Sequence, residues 1–218
     1  MEQVWPLFGL RVTAGPLELR PVRDEDISTL VELARAGIHP AGTMPFTYPW
    51  TDAPAEHLGR NMAAYYWRTR AEVSPARWTV DFVVRWHGEV VGVQGLITSD
   101  YLVTRTCETG SWLARSHQGR GIGTMMRQTI CAFAFDHLEA EEVTSSAWLD
   151  NPASLSVSRK VGYEDNGRRR QQRRPGELAM MQDLVLTQSR LVRHDVDVDV
   201  QGLPAVRRFL GLDGEAQR

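Results

Sequence analysis

This 218-residue chain has almost no lysine: of its 25 basic residues only Lys160 is one, and the rest are arginine. A P-loop is thereby excluded, because its signature needs a lysine directly after the glycines. Cysteine is nearly as scarce. Cys107 and Cys131 form neither a zinc spacing nor a disulfide framework, and they suit a reducing compartment in which both stay thiols. The six histidines (39, 57, 87, 117, 137 and 194) are scattered, with no H-E-x-x-H and no paired-ligand spacing. Asp195, Asp197 and Asp199 alternate as calcium ligands do, yet Val200 and Val206 stand where an EF-hand loop requires glycine and glutamate. Nowhere do 18 apolar residues run together, and the start lacks the basic-then-apolar pattern of a signal peptide. A formal net charge of −2 gives no global attraction to nucleic acid or to an anionic membrane. No internal repeat is present. With 42% hydrophobic and 24% charged residues, the expectation is a soluble, cytoplasmic, globular protein with volume for a real core.

The organisation reads as residues 1–16, a terminal arm whose Trp5, Leu7 and Phe8 can dock on the body; 17–190, a single domain; and 191–218, a C-terminal extension. Leu17–Pro21 reads as a first strand, followed by a helix capped by Asp24 or Asp26 and running to about Ala36. A segment rich in proline and aromatics, Gly37 to Trp50, precedes a second helix from about Pro54 to Glu72. Thr79–Trp86 and Glu89–Thr98, joined through His87-Gly88, predict a β-hairpin, and Arg105–Ala114 extends that sheet. Glu177–Leu191 supplies a last core strand. The strict alternation of Asp195 to Val200 predicts an edge strand, and it offers a contact for a homodimer.

The most informative stretch is 117–124, His-Gln-Gly-Arg-Gly-Ile-Gly-Thr, with glycine at every second position between a strand-like run and a helical pattern. Without a Cβ, glycine leaves successive backbone N–H groups open to an anion. The following helix adds its own unpaired amides and the positive end of its dipole. Phosphate, most naturally the pyrophosphate of a nucleotide-like cofactor, fits such a place. The dinucleotide fingerprint fails, since Thr124 occupies its third small-residue position and half the chain comes first. A plain tight turn is the competing reading of the glycines alone. The flanks favour the anion site: Glu108 to Leu113 reads as a strand interrupted by a glycine, and Ile122 to Leu138 carries Ile122, Met125, Met126, Thr129, Ile130, Phe133 and His137 at helical spacing. Val143 to Leu149 reads as another strand. A second helix then starts at Asp150-Asn151-Pro152, with Asn151 or Asp150 as its cap, and ends near Gly162.

The pair Gln118-x-x-Gly121-x-Gly123 and Asn151-x-x-Ser154-x-x-Val157-x-x-Lys160-x-Gly162-Tyr163, about thirty residues apart, resembles the two signature blocks of the GNAT superfamily of acyl-CoA N-acyltransferases. The phrase Glu108-Thr-Gly-Ser-Trp-Leu-Ala-Arg-Ser-His-Gln-Gly-Arg-Gly-Ile-Gly123 is most similar to the bacterial branch that acetylates the N-termini of ribosomal proteins. Dense resemblance covers about residues 80–187. It implies an α/β (α+β) GNAT fold, with a mixed, mostly antiparallel sheet splayed into a V and helices on both faces. It also implies acetyl-CoA, or another acyl-CoA such as succinyl-CoA, with its pantetheine arm along Ser111, Trp112 and Leu113. The diphosphate would lie on the loop of Gln118, Gly119, Arg120, Gly121, Ile122, Gly123 and Thr124. The acceptor implied is a primary amine, on a small molecule or a protein N-terminus; the rival reading is a CoA-binding regulatory protein without turnover, whose mark would be loss of the base at Glu108.

Direct transfer needs a neutral amine, a stabilised oxyanion and a protonated or solvated leaving thiolate. Glu108 is the candidate base, against its reading as a surface carboxylate on a strand edge. Ser154 matches the position whose hydroxyl reaches the CoA sulfur, or is simply a polar first-turn residue. Asn151 resembles the pantetheine-binding residue, and it equally fits an N-cap. Ser158 stands where many members carry a tyrosine acid, and Tyr163 reads as packing. Five arginines between Arg168 and Arg174 read as a solvated loop, or as an attractor for an acidic peptide or an anionic acyl group. His117 reads as a solvent-facing turn residue or as a contact to phosphate, and Met44–Trp50 as core packing or as an apolar wall beside the acceptor.

Overall fold

A computed structural model of the chain describes residues 1–213. Nine strands form one sheet: β1 (Arg11–Ala14), β2 (Leu17–Pro21), β3 (Thr79–Trp86), β4 (Glu89–Thr98), β5 (Thr106–Leu113), β6 (Glu142–Trp148), β7 (Glu164–Arg174), β8 (Glu177–Thr187) and β9 (Asp199–Gln201). Their order is β7-β8-β6-β5-β4-β3-β2-β1-β9, and every neighbouring pair is antiparallel except β5 and β6. The hairpin expected at 79–98 forms, turning through His87 and Gly88 with φ of 49° and 82°. Two successive positive φ angles suit the right-handed twist of the flanking strands.

Six helices cover the sheet: α1 (Asp24–Arg35), α2 (Ala55–Ala71), α3 (Tyr101–Thr104), α4 (Ile122–Leu138), α5 (Pro152–Val161) and α6 (Leu203–Phe209). The side-chain alternation of β3 divides the interior into two layers. Val80, Phe82 and Val84 pack with Ile122, Ile130 and Phe133 of α4, while Val83 packs with Leu30 of α1 and Leu58 and Met62 of α2. Helix α4 departs from the one-sided stripe read from its sequence. It is buried on nearly every face, because the sheet, α5 and the C-terminal segment enclose it. Arg23, not an aspartate, occupies the N-cap of α1, and Asp26 accepts the Arg23 amide at 2.9 Å from the third helical position.

Three expectations need correction. The stretch 1–16 is not merely an arm, since β1 lies within the sheet between β2 and β9. The extension does place an edge strand on the sheet, but only Asp199–Gln201 pair, leaving Asp195 and Asp197 outside it. It continues into α6, where Phe209 meets Trp5 edge-on with ring centroids 5.1 Å apart, so α6 packs on the N-terminal segment. Its last five residues lie outside the described ones. Finally, Arg168 to Arg174 is no loop: it is the larger part of β7, paired with β8 from Arg168↔Gln182 to Arg174↔Glu177. The strand has no apolar alternation to announce it because nearly all of it is exposed, and charge on an outermost strand opposes pairing with other chains.

Candidate active site

Strands β5 and β6 part company early. Only Thr106↔Glu142, Cys107↔Val143 and Glu108↔Thr144 pair between them. Beyond that point β5 stays with β4 as far as Gly92↔Leu113, and β6 stays with β8 as far as Trp148↔Met181. A wedge therefore opens along residues 109–113, whose outer backbone edge has no neighbouring strand.

The glycine loop sits at the wide end of this wedge. Gly119 and Gly121 have φ of 71° and 84°, and a Cβ on either would stand in open space. The left-handed conformation is what turns the chain sharply into α4, and glycine alone adopts it at no steric cost. Among the described residues, the amides of Gly119, Arg120, Gly121, Ile122 and Gly123 donate to no protein acceptor. The Thr124 amide is different. It already donates to the Gly121 carbonyl at 3.0 Å, so of the expected binding residues Thr124 offers chiefly its hydroxyl. Gln118 fastens the loop: its Nε2 donates to the carbonyls of Leu113 at 2.8 Å and Ile38 at 2.6 Å. Gly123 abuts the side chains of Leu113 and Val157, which seats the helix start against β5 and α5. His117 is largely buried rather than solvent-facing, with its Nδ1 3.0 Å from the Ser116 hydroxyl.

On the face covered by α1 and α2, Glu108, Gly110 and Trp112 follow one another along β5. Glu108 is exposed, at the last position where β5 pairs on both sides. The aromatic segment reaches across the wedge here. Trp50 packs on Trp112 of β5 (centroids 6.0 Å apart) and on Phe46 (5.1 Å), while the Phe46 carbonyl accepts from Trp148 Nε1 of β6 at 3.1 Å.

A carboxylate that sequence reading passed over lies on the same face. Asp81 of β3 pairs with Gly95, which in turn pairs with Gly110. A Cβ on Gly95 would come within 3.1 Å of Asp81 Oδ1, so the missing side chain makes room for the carboxylate. Asp81 Oδ2 is enclosed and has no hydrogen-bond partner among the described residues. Burial pushes its pKa up to about 6, opposed in part by a hydrogen bond from Tyr65. A lone acid within Val80-Asp-Phe-Val-Val was the available signal.

Past the wedge, Asn151 is the N-cap of α5: its Oδ1 accepts the Ser154 amide at 3.2 Å, leaving the Asn151 NH₂ and the Ser154 hydroxyl at the helix start. Ser158 is completely buried with an unpartnered hydroxyl, which does not suit a proton donor reaching the wedge. Tyr163 packs in the core, and its hydroxyl lies 2.9 Å from Thr109 Oγ1 and 3.3 Å from Cys131 Sγ. Burial raises the Tyr163 pKa well above the ordinary phenol range, so it stays neutral.

The arginines of β7 are mostly engaged. Arg169 pairs with Asp183; Arg173 grips Asp150 through two bonds and lies over the Trp148 ring; Arg174 binds Asp52 and the Thr43 carbonyl. The hydrogen bond from Arg174 holds the Asp52 carboxyl below its usual pKa, and Arg173 does the same to Asp150. These contacts tie the aromatic segment to the β7–β8 hairpin. A different arginine is buried without a carboxylate: Arg127 of α4 donates to Gln94, Ser111 and Ser145. No three His, Cys, Asp or Glu side chains among the described residues are grouped to hold a metal, and no described helix is long and apolar enough to cross a membrane.

Comparison with known proteins gives this arrangement a place. Residues 16–164 match the family model described as acetyltransferase (GNAT) domain. Bacillus subtilis (strain 168) has a relative named "Putative ribosomal N-acetyltransferase YdaF", 31% identical over 83 residues, which are 38% of this chain and 45% of that protein. The chain thus spans less than half the length of that curated relative. Mycobacterium smegmatis RimJ, solved with CoA-disulfide, superposes with a TM-score of 0.68 at 20% identity, covering 85% of this chain and 89% of that one. The spermidine N-acetyltransferase of Vibrio cholerae, solved with CoA and spermine, does so with a TM-score of 0.62 at 17% identity, covering 81% and 98%. At these identities the superpositions speak for the fold. The family match spans well over half the chain, and the chain belongs to the GNAT acetyltransferase domain family.

Proposed function

We propose that this protein transfers an acyl group, in the simplest case acetyl, from acyl-CoA directly to a primary amine, with a protein N-terminus as acceptor. The observation that carries this reading is the alignment of five unspent amides at the start of α4 with a wedge between β5 and β6. Diphosphate oxygens suit those amides and the helix N-terminus behind them. The space left by Gly119 and Gly121 admits the anion that a side chain would displace. Along the wedge, the open edge of Ser111–Leu113 offers main-chain partners to an extended amide-bearing arm, much as a missing strand would. The Asn151 NH₂ and the Ser154 hydroxyl stand near its far side.

Acyl-CoA supplies an activated carbonyl; the chain supplies position and proton management. In the overall reaction the amine nitrogen bonds to the carbonyl carbon, the C–S bond breaks, and the ammonium proton is lost to a base. Glu108 is exposed at the point where the strands part, where it can take that proton through water. A main-chain amide near Leu113 would face the oxygen on which charge develops, and the Ser154 hydroxyl would meet the departing thiolate. The wall of Phe46, Trp50, Trp112 and Trp148 borders the acceptor side. Relatives named for ribosomal proteins support a peptide amine as acceptor, and the spermidine enzyme supports a small polyamine as the second reading.

Calorimetric titration with acetyl-CoA, followed by mass spectrometry of peptides, polyamines and ribosomal extract incubated with each acyl-CoA, tests the proposal. Binding plus a mass gain on an amine is the expected result. No heat and no thermal shift at millimolar thioester would sink it.

A further inference from the structure

Asp81 faces α2 from β3 without a counter-ion. Arginines on the neighbouring elements are committed elsewhere: Arg20 of β2 and Arg85 of β3 to Asp26, and Arg70 of α2 to Asp24. Among the described residues none pairs with Asp81. Taking a carboxylate out of water is costly unless a cation or several donors accompany it. A hydrogen bond from Tyr65 answers part of that cost, and Oδ2 has no partner.

Strand register connects this carboxylate to the wedge. On the face covered by α1 and α2, Thr79, Ile97 and Glu108 form one row across β3, β4 and β5, and Val83, Val93 and Trp112 form another. Between them runs the row Asp81, Gly95 and Gly110, which carries a single side chain. A Cβ on Gly110 would meet nothing within 4 Å, and one on Gly95 would meet Asp81 Oδ1 at 3.1 Å. A bare lane therefore lies between two rows of side chains. It leads from the outer edge of β5, where the wedge opens, to the carboxylate leaning over Gly95. Two strand spacings make it about 10 Å long. Glu108 and Ile97, on one side of it, are both exposed.

We propose that Asp81 binds a second cationic group on the acceptor, one held about 10 Å from the amine that reacts. This rests on the acyl-transfer reading of the wedge and concerns the acceptor alone. An extended acceptor lying in the lane puts its reacting amine at the wedge beside Glu108 and its other cation against Oδ1 of Asp81. The carboxylate shares its charge between both oxygens, so a cation at Oδ1 also compensates the enclosed Oδ2. A neutral group at the same place leaves the anion unanswered, and the site thereby discriminates by charge. The transfer itself is unchanged: the reacting amine forms its C–N bond at the thioester carbon, the C–S bond breaks, and one proton goes to the base. The second cation keeps its proton and its bonds throughout. Two sources carry this chemistry, a lysine or arginine side chain close behind a protein N-terminus and the far amine of a polyamine.

Steady-state transfer to matched acceptors provides the test, with saturating acetyl-CoA and, separately, saturating succinyl-CoA as donor. One pair is a peptide with lysine at its second or third position and the same peptide with norleucine there. The other is 1,8-diaminooctane and octylamine. The full-length protein should favour the dicationic member of a pair by roughly tenfold or more in kcat/KM, the scale of one charge-assisted hydrogen bond. The pair that shows it identifies the source. In Asp81→Asn the preference should fall close to one through a higher KM for the dicationic acceptor, with kcat and CoA affinity little changed. A packing role alone would move both members of a pair together. Gly110→Val, which fills the lane and leaves Asp81 in place, should cost the same preference, and it decides the matter should Asp81→Asn fail to fold. No preference in either pair overturns the proposal, and so does a preference that survives either substitution. Absence of transfer to every acceptor from both donors defeats the acyl-transfer reading as well, whereas equal transfer within both pairs removes this inference only.

Discussion

Replacing Asp81 by asparagine should stabilise the protein, and by an amount that depends on pH. The carboxylate sits over Gly95 with Oδ2 enclosed and unpartnered, and its pKa is raised from 3.8 to about 6 by burial. A raised carboxylate pKa means that the native state holds the proton to higher pH than the unfolded chain does. Between pH 3.8 and about 6 the native state therefore binds more protons, and stability falls as pH rises. The difference between 3.8 and about 6 amounts to a total of about 3 kcal/mol, of which about two-thirds develops between pH 4.5 and 8. Asparagine keeps the shape and removes the charge. Urea denaturation of both proteins at pH 4.5, 6 and 8 should show the advantage of Asp81→Asn growing by roughly 2 kcal/mol from the lowest to the highest pH, then levelling. An advantage that stays constant with pH, or a loss that grows with pH, refutes the reasoning. It would mean that the folded protein stabilises the Asp81 anion by contacts other than the Tyr65 hydroxyl.

Two substitutions probe the proposed site. Gly121→Val should weaken CoA binding by roughly tenfold or more, since its side chain enters the open space beside the free amides. With φ at 84° it should also lower the melting temperature by several degrees, at roughly 1–2 kcal/mol for a left-handed non-glycine residue. Normal CoA affinity in that variant, measured by calorimetry, counts against the loop as the diphosphate site. Glu108→Gln should reduce kcat about a hundredfold or more while CoA affinity stays within about twofold, the mark of a general base. Unchanged turnover at saturating donor removes Glu108 from the mechanism.

The elements most legible beforehand were those whose pattern is local. The 79–98 hairpin carries β-branched alternation around a His-Gly turn, and α5 carries a cap, a proline and a terminal glycine; both form within a residue or two of the expected bounds. Strand β7 was read as a solvated arginine loop because its neighbours, not its own side chains, make it a strand. The same holds for β1, which is short and takes its place from pairing with β2 and β9. Among site residues, Gln118, Gly121, Gly123 and Asn151 are visible through spacing. Asp81 and Arg127 are visible only as charges inside apolar runs, a pattern that says something is wrong with a simple core but not what answers it.

From the residues alone came the glycine loop, the helix that follows it and the exclusion of lysine-based phosphate sites, since each depends on the identity and spacing of a few neighbours. The tertiary structure alone decided which charges are satisfied. Three of five clustered arginines are paired with carboxylates, Asp183, Asp150 and Asp52, while a solitary one in α4 lies buried among hydroxyls and an amide. The reason is physical: backbone conformation is governed largely by nearest neighbours, whereas the cost of a charge depends on everything packed within a few ångströms of it, wherever that matter lies along the chain.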